Sequence, residues 1–103
     1  MRGLKDKVVI ITGGAGGIGK ATALRFAEEG AKIVVADFAD GGATVAEVKA
    51  KGVDAIFVQV DVTNLESCRQ MVAKAVESFG RVDVLINNAG ITKDNLIMRM
   101  KPE

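Results

Sequence analysis

The sequence predicts an α/β fold in which a four-stranded parallel sheet, with strand order 3-2-1-4, carries helices on both faces. Three observations lead to this prediction. Short apolar segments alternate strictly with amphipathic helical segments, the links between them are short, and a glycine follows each helical segment. Such alternation produces right-handed crossovers, which bring the strands into one parallel sheet. We expect residues 1–90 to form this unit and residues 91–103 to be a tail.

Four apolar segments have the composition of buried strands. Branched apolar residues fill them, and charged residues or glycines stand at their ends. The predicted strands are Lys7–Thr12, Lys32–Asp37, Asp54–Val62 and Val82–Asn87. In a parallel sheet of this order the carboxyl ends of the strands lie at one edge, which is where such folds bind ligands. We expect the apolar residues of the tail to have no further strand to cover.

Three segments have the apolar spacing of helices. The first is Gly17–Glu29, the second begins after a possible cap at Asp40 and reaches Lys51, and the third begins at a capping box formed by Thr63 and Glu66. The glycines that stop them are Gly30, Gly52 and Gly80. The residues expected to face the sheet are Gly19, Ala23, Phe26 and Ala27, then Val45 and Val48, then Leu65, Cys68, Val72, Val76 and Phe79.

The composition excludes several classes of function. The 103 residues carry a net charge of +1 without a basic run, which argues against nucleic acid as a partner. No apolar stretch approaches the roughly 20 residues that span a bilayer. Residues 1–7 lack the apolar region of a signal peptide. We therefore expect one soluble, cytoplasmic domain with no membrane partner.

The residue types that are absent limit the chemistry. The chain has no His, Tyr or Trp, and its serines, Ser67 and Ser78, lie inside one predicted helix. A Ser–His–Asp arrangement and any mechanism with a Tyr acid are therefore excluded. Cys68 is a lone cysteine on an apolar helical stripe, which predicts a buried, unreactive thiol, and no cluster has metal-ligand spacing. We expect neither a catalytic residue nor a metal site.

The segment Thr12–Gly19, which reads TGGAGGIG, is the strongest functional signal in the chain. An apolar strand precedes it and a helical segment follows it, and this is the context in which a glycine motif binds phosphate. Glycines allow the backbone to approach a pyrophosphate closely, while the start of the helix offers free N–H groups. The alternative for the loop alone is a glycine-rich turn that binds nothing.

Three glycine templates fit this loop. They are G-x-G-x-x-G at Gly14, Gly16 and Gly19, T-G-x-x-x-G-x-G at Gly13, Gly17 and Gly19, and the ATP-type G-x-x-x-x-G-K at Gly14–Lys20. The ATP-type template needs a Ser or Thr hydroxyl directly after the lysine to hold magnesium. Ala21 stands there, and Thr22 comes one position late. The loop is therefore expected to bind a dinucleotide rather than ATP.

Polar residues also end the other strands at the same edge. Asp37 closes the second strand 18 positions after Gly19, where a carboxylate can hydrogen-bond both ribose hydroxyls of an adenosine. It would repel a 2′-phosphate, and no Lys or Arg lies within the loop, so we expect NAD in preference to NADP. Asp61 either contacts the adenine amino group or helps to start the next helix. Asn87–Gly90 forms a turn that would face the loop. A methyltransferase-like nucleoside site is a distant alternative, because Asp37 suits its ribose too.

These motifs together resemble those of the short-chain dehydrogenase/reductase family. TGGAGGIG is similar to the family's TGxxxGIG cofactor loop, DVT at Asp61–Thr63 to its adenine-side motif, and NNAG at Asn87–Gly90 to its motif after the fourth strand. The longer stretch NNAGITKDNLIMRM resembles bacterial 3-oxoacyl-[acyl-carrier-protein] reductases of fatty-acid biosynthesis. The resemblance implies the N-terminal half of a Rossmann fold, from an NAD(P)-dependent oxidoreductase that reduces a 3-oxoacyl thioester or similar ketone.

The resemblance also implies a set of cofactor contacts. They are Gly13, Gly17 and Gly19 around the pyrophosphate, Ile18 beneath the nicotinamide side, Asp37 at the adenosine ribose, Asp61 and Val62 at the adenine, and Asn87 and Gly90 at the border of the cofactor. Asp37 departs from many acyl-carrier reductases, which use NADPH. The cofactor implied by this residue and the substrate implied by the subfamily therefore do not agree.

Family members are much longer than this chain, and their catalytic Asn, Ser and Tyr-x-x-x-Lys all follow the position that matches Glu103. The resemblance thus implies a cofactor-binding half without catalysis of its own, an acyl-carrier-protein thioester being a partner of the parent enzyme only. The alternative is a structural half-domain without useful nucleotide affinity. Its fourth strand would be an exposed edge of the sheet, through which it would self-associate.

Overall fold

The computed structural model describes residues 3–88 and 96–99 of the chain. These residues form five strands and three helices. In chain order the elements are β1 (Val8–Thr12), α1 (Gly17–Glu28), β2 (Lys32–Asp37), α2 (Gly42–Lys49), β3 (Ala55–Gln59), α3 (Leu65–Phe79), β4 (Val84–Asn87) and β5 (Leu96–Arg99). The predicted alternation is confirmed as far as β4, with boundaries that move by three residues or fewer. The predicted boundary at residue 90 lies outside the described residues.

The sheet has the strand order β3-β2-β1-β4-β5, and its first four strands are parallel. The predicted order 3-2-1-4 is therefore confirmed. All five residues of β1 are buried, as expected for a central strand covered on both faces. Thr12 at the end of β1 lies opposite Ala36 of β2 and Asn87 of β4, so the carboxyl ends of these strands are level.

The fifth strand corrects the prediction for the tail. β5 pairs with β4 in the antiparallel direction, with Leu96 opposite Asn87 and Arg99 opposite Val84. The tail therefore does contain a further strand, and the prediction that β4 is an exposed edge is wrong. Four residues are too few to show a reliable period of two, which is why the pattern of the tail did not predict a strand.

The two faces of the sheet have separate cores, because side chains alternate along each strand. On one face Ile11 packs in a cluster with Ala23 of α1 and Val48 of α2. On the other face Ile10 packs in a cluster with Met71 of α3. Two helices on one face and one on the other confirm the prediction that helices cover both sides.

The inward faces predicted for α1 and α2 agree with the structure. The buried residues include Gly19, Ala23, Ala27 and Val48, and Phe26 and Val45 pack against the same core. The predicted cap at Asp40 is wrong by one position, because the N-cap of α2 is Gly41; the Oδ1 of Asp40 accepts a hydrogen bond from the Gly42 amide at 2.9 Å in the turn before the helix. The predicted stop glycines, Gly30, Gly52 and Gly80, all have positive φ angles, of 89°, 93° and 84°.

The N-cap of α3 lies one residue later than predicted. Its N-cap is Asn64, whose Oδ1 accepts a hydrogen bond from the Ser67 amide at 2.9 Å. The Thr63 hydroxyl donates instead to Oδ1 of Asp61, at 2.6 Å. The predicted capping box of Thr63 and Glu66 is therefore wrong, because the asparagine beside the threonine takes the capping position.

The buried stripe of α3 is also displaced from the predicted one. Its centre is formed by Met71 and Ala75, which are four residues apart and buried. Leu65 and Val76 of the predicted stripe are 69% and 44% exposed, while Cys68, Val72 and Phe79 are half-buried at its sides. Among the described helices, none is long and apolar enough to cross a membrane.

Asp83 joins β1 to β4 at the amino-terminal edge of the sheet, opposite the glycine loop. Its Oδ2 accepts a hydrogen bond from the Val8 amide at 2.9 Å, and its Oδ1 accepts from Nε and Nη2 of Arg81. Burial by itself raises the pKa of the Asp83 carboxyl, but the hydrogen bonds from Arg81 and Val8 outweigh it and lower the pKa below 3.8.

Candidate functional site

The carboxyl ends of the parallel strands form one edge of the sheet, and the predicted site residues lie along it. Thr12 stands level with Asn87, and Asp37 stands level with Gln59 of β3. The glycine loop links the end of β1 to α1, and Asp61 follows the end of β3 by two residues. Gly90 lies outside the described residues. The predicted convergence is thus present for the strand-end residues that the structure describes.

The backbone of the loop places its strictest requirements on Gly13, Gly17 and Gly19. Gly13 and Gly17 have φ angles of 70° and 58°, a region that residues with a side chain rarely adopt. At Gly19 a Cβ atom would overlap the carbonyl oxygen of Gly13. Gly16 has an extended backbone, and a Cβ there would meet no atom of the described residues within 4 Å. The glycines with the strictest requirements are therefore those of the T-G-x-x-x-G-x-G template, although a Cβ at Gly14 would also lie only 3.1 Å from a backbone oxygen.

In the structure, the lysine that the ATP-type template requires is paired with another side chain. Lys20 forms an ion pair with Glu47 of α2 rather than standing over the loop. The hydroxyl of Thr22 donates to the Ile18 carbonyl inside α1, at 2.8 Å. Neither group is placed to hold a nucleotide phosphate or its magnesium ion in the way that this template requires.

The start of α1 offers backbone donors without a capping side chain. Its N-cap is Gly16, no side chain among the described residues caps the helix, and its first turn carries no acidic residue. The N–H groups of the first turn of a helix have no partner within the helix, and the helix dipole makes this end attractive to anions. By contrast, Asn64 caps α3 and Glu66 lies in its first turn.

The carboxylate of Asp37 is fixed against the glycine loop. Its Oδ2 accepts a hydrogen bond from the Ala15 amide at 2.9 Å, and its Oδ1 accepts from the Ala39 amide at 3.0 Å. A carboxylate has about four acceptor positions, so both oxygens can accept further hydrogen bonds from a ligand. The sequence predicted the position of Asp37 but not its bond to the loop, which joins residues 22 positions apart.

A network of hydrogen bonds joins the end of β1 to the end of β4. The Thr12 hydroxyl donates to Oδ1 of Asn87 at 2.9 Å and accepts from the Asn88 amide at 2.9 Å. The side-chain nitrogen of Asn88 would lie 3.1 Å from a Cβ atom at Gly19, so it stands against the first turn of α1. The two asparagines therefore brace the loop from the side of β4.

Asp61 helps to start α3, which was one of the two roles that the sequence left open for it. Its Oδ1 accepts hydrogen bonds from both the amide and the hydroxyl of Thr63, and its own amide donates to Oγ of Ser67 at the start of α3. The Thr63 hydroxyl and the Thr63 amide lower the pKa of the Asp61 carboxyl. Oδ2 has no hydrogen bond within residues 3–88, which leaves it available to a ligand. Val62 is half-buried and packs against the core under α3.

Two features of this edge were missed in the sequence. One is Phe38, which directly follows Asp37 and is 71% exposed. Ile18, which the resemblance did name, is 69% exposed at the start of α1. An aromatic residue that follows a strand-end acid could have been recognised as a flat apolar surface beside a ribose site. Thr44 of α2, which is buried, donates its hydroxyl to the Ala15 carbonyl at 3.2 Å, and nothing in the local sequence indicated this contact. Among the described residues no three acidic or cysteine side chains could hold a metal ion.

The chain belongs to the short chain dehydrogenase family, whose family model matches residues 7–103. This agrees with the resemblance seen in its motifs. The chain spans about two fifths of the length of the curated relatives it matches.

The relatives in this family include two 3-oxoacyl-[acyl-carrier-protein] reductases. The 3-oxoacyl-[acyl-carrier-protein] reductase FabG of Staphylococcus epidermidis is 46% identical over 103 residues, which cover 95% of this chain and 41% of that protein. The 3-oxoacyl-[acyl-carrier-protein] reductase of Synechocystis is also 46% identical and covers the whole chain and 43% of that protein. The 2,5-dichloro-2,5-cyclohexadiene-1,4-diol dehydrogenase LinX of Sphingobium indicum is 51% identical over 90 residues, or 85% of this chain and 36% of that protein.

Solved structures with the same fold include dehydrogenases with bound dinucleotide. An NAD⁺-bound xylitol dehydrogenase superposes with a TM-score of 0.82 at 41% identity, over 87% of this chain and 35% of that one. A short chain dehydrogenase from Mycobacterium paratuberculosis, bound to NAD, gives a TM-score of 0.80 at 32% identity, over 86% and 38%. These similarities agree with the Rossmann-like arrangement predicted from the strand order.

Proposed function

We propose that this chain is the NAD-binding part of a short-chain oxidoreductase. The observation that carries the proposal is the loop itself, whose three constrained glycines lie just before the start of α1 and in its first turn. This helix start has no capping side chain among the described residues, and it lies at the carboxyl edge of a parallel sheet. A bound nicotinamide dinucleotide supplies the hydride that such an oxidoreductase transfers. Family membership and the NAD-bound relatives of similar fold support the assignment.

The residues present fit such a cofactor. The overlap that a side chain at Gly19 would cause, and the positive φ angles at Gly13 and Gly17, have the form expected where backbone must approach a pyrophosphate. The proposed contacts remain those named from the sequence: Gly13, Gly17 and Gly19 at the pyrophosphate, Ile18 beneath the nicotinamide side, Asp37 at the adenosine ribose, Asp61 and Val62 at the adenine, and Asn87 and Gly90 at the border of the cofactor.

We propose NAD rather than NADP as the preferred cofactor. Asp37 is held at the site by two backbone amides, and a fixed carboxylate would repel a 2′-phosphate. Lys20, the cation nearest to the loop in sequence, is paired with Glu47, so it does not offset the charge of Asp37. Electrostatics at this end of β2 therefore favours the unphosphorylated ribose.

Calorimetric titration with NAD and NADP tests both parts of the proposal. We expect NAD to bind the wild-type protein more tightly than NADP, and Asp37→Asn to reduce this preference by about tenfold because the charge is lost. Asp40→Asn is the matched control: this carboxylate bonds only the Gly42 amide among residues 3–88, and we expect the preference to stay within about twofold. Equal binding of both dinucleotides by the wild type would contradict the cofactor assignment.

For the parent enzyme we propose reduction of a 3-oxoacyl thioester or similar ketone to the alcohol, supported by the two reductases that are 46% identical. This chain has no Tyr or His to protonate the forming alkoxide, so we expect no turnover from it. NADH oxidation with an acetoacetyl thioester tests this expectation. Turnover by the purified chain above the buffer rate would contradict it.

The alternative, a self-associating module without nucleotide affinity, has less support than the sequence suggested. It relied on β4 as an exposed edge, but β5 pairs with that strand. Within the described sheet, β3 and β5 are the outer strands through which association would have to occur. Sedimentation tests the alternative, because a strict monomer at micromolar concentration would contradict it.

A further inference from the structure

We propose that Thr44 is a positioning residue for the cofactor loop, and that it helps to set the preference for NAD over NADP. This inference rests on the proposed function of the loop. The Thr44 hydroxyl holds the carbonyl of Ala15, while the amide of Ala15 holds the carboxylate of Asp37. One residue of the loop thereby connects α2 to the acid that would contact the ribose.

The contact made by Thr44 is unusual for a threonine in a helix. Such a hydroxyl commonly bonds the carbonyl four residues earlier, which here is that of Asp40, just before the start of α2. Thr44 instead donates to Ala15, 29 positions away, at 3.2 Å, and its side chain is fully buried. A buried hydroxyl costs stability when it has no partner, so the contact keeps the Ala15 carbonyl in one orientation.

The Ala15 residue is held from both sides. Its amide donates to Oδ2 of Asp37 at 2.9 Å, and the preceding amide, that of Gly14, donates to the Ala36 carbonyl at 3.3 Å. The end of β2 thus fixes the amides on one side of the loop, and α2 fixes the carbonyl on the other. The residues that follow Ala15 lead directly into Gly17 and the free amides of α1.

A second contact supports the same role for α2. Glu47 follows Thr44 by three positions, so both lie on one face of the helix. Glu47 forms an ion pair with Lys20 in the first turn of α1. The same face of α2 therefore contacts both the loop and the helix that follows it.

Loss of the Thr44 hydroxyl should affect binding and selectivity together. The amides that bind the pyrophosphate would be less well ordered before binding, which weakens affinity. Asp37 would lose its fixed partner at Ala15 and could turn away from a 2′-phosphate, which reduces discrimination against NADP. A change in the ratio of the two dissociation constants distinguishes this role from a merely structural one.

The test uses three variants and two measurements. Thr44→Val keeps the shape of the side chain and removes the hydroxyl, Thr44→Ser restores the hydroxyl, and Val48→Ala destabilises the same helix from a fully buried position away from the loop. Calorimetry measures the affinities for NAD and NADP. Amide hydrogen exchange measures the opening of the Ala15 amide relative to that of Ile10 in the core.

We expect Thr44→Val to weaken NAD binding about three- to tenfold and to lower the ratio of the NADP and NAD dissociation constants by a similar factor. The exchange of Ala15 should accelerate relative to Ile10. For Thr44→Ser, both dissociation constants should stay within about twofold of those of the wild type. Val48→Ala should change neither the ratio of the NADP and NAD dissociation constants nor the ratio of the Ala15 and Ile10 exchange rates. The inference is overturned if Thr44→Val leaves both ratios unchanged or if Val48→Ala reproduces its effects. If the wild-type protein binds neither dinucleotide, the proposed function fails, and the exchange measurement still decides whether Thr44 positions the loop.

Discussion

Gly19 is the residue at which the loop tolerates a side chain least. A Cβ atom there would overlap the carbonyl oxygen of Gly13, and the side chain of Asn88 stands on the same side. The sequence excluded the ATP-type template, because Ala21 stands where a hydroxyl is needed, and the strand-end motifs favoured the T-G-x-x-x-G-x-G template over G-x-G-x-x-G. In the structure, the positive φ angles of Gly13 and Gly17 support the same template, while Gly19 is common to both dinucleotide templates.

Substitution of Gly19 by Ala should therefore harm the loop where substitution of Gly16 does not. We expect Gly19→Ala to lower the free energy of unfolding by about 1–3 kcal/mol and to weaken NAD binding at least tenfold, because the loop and α1 must move apart. Gly16→Ala brings its methyl group within 4 Å of no described atom, so we expect a loss of stability below about 1 kcal/mol, which reflects the poorer capping of α1 by alanine. Chemical denaturation and calorimetry measure the two effects. Equal losses in both variants would show that the close approach at Gly19 is unimportant.

At the scale of the element, the alternation of strands and helices was predictable because each helix carries a stop glycine and each parallel strand is a run of apolar residues. The start of α3 was not. The pattern Thr63-x-x-Glu66 has the form of a capping box, yet Asn64 is an equally good capping residue one position later. Which of them caps depends on Asp61, whose carboxylate takes the Thr63 hydroxyl. A sequence motif does not show this competition between Thr63 and Asn64 for the N-cap position.

The cap assignment predicts unequal effects of two alanine substitutions. Asn64→Ala should destabilise the protein by about 1 kcal/mol, because the Ser67 amide loses its acceptor. Thr63→Ala removes an exposed hydroxyl and should cost less than about 0.5 kcal/mol. Urea denaturation of both variants measures the difference. A larger loss for Thr63→Ala would restore the capping box.

The sheet as a whole is joined at both edges by contacts that no local pattern reveals. At one edge the Thr12 hydroxyl connects β1 to β4, and at the other the Asp83 carboxylate connects the same two strands. These bonds span 75 positions each. The sequence therefore indicated which strands are neighbours through the rules of crossover connection, but not the side chains that secure them.

Asp83 should make the stability of the protein depend on pH in the acid range. Because its pKa is lowered on folding, its contribution is present above the ordinary value of 3.8 and is lost as the pH falls through the lower value of the folded state. We expect Asp83→Asn to cost about 1–3 kcal/mol at pH 7 and to flatten the loss of stability below pH 3.8. Asp54→Asn, which replaces an exposed carboxylate, is the control. Its free energy of unfolding should stay within about 0.5 kcal/mol of the wild-type value at each pH. An Asp83→Asn curve parallel to that of the wild type would contradict this role.

The central claim is that the carboxyl edge of this sheet binds NAD through the glycine loop. Titration of the ¹⁵N-labelled protein with NAD, followed by its amide NMR signals, tests it most directly because each residue reports separately. We predict that the signals of Gly13–Gly19 and of Asp37 and Phe38 shift with saturation, while those of Arg81 and Asp83 at the opposite edge do not. An absence of shifts at millimolar NAD, or shifts confined to the opposite edge, would contradict the claim.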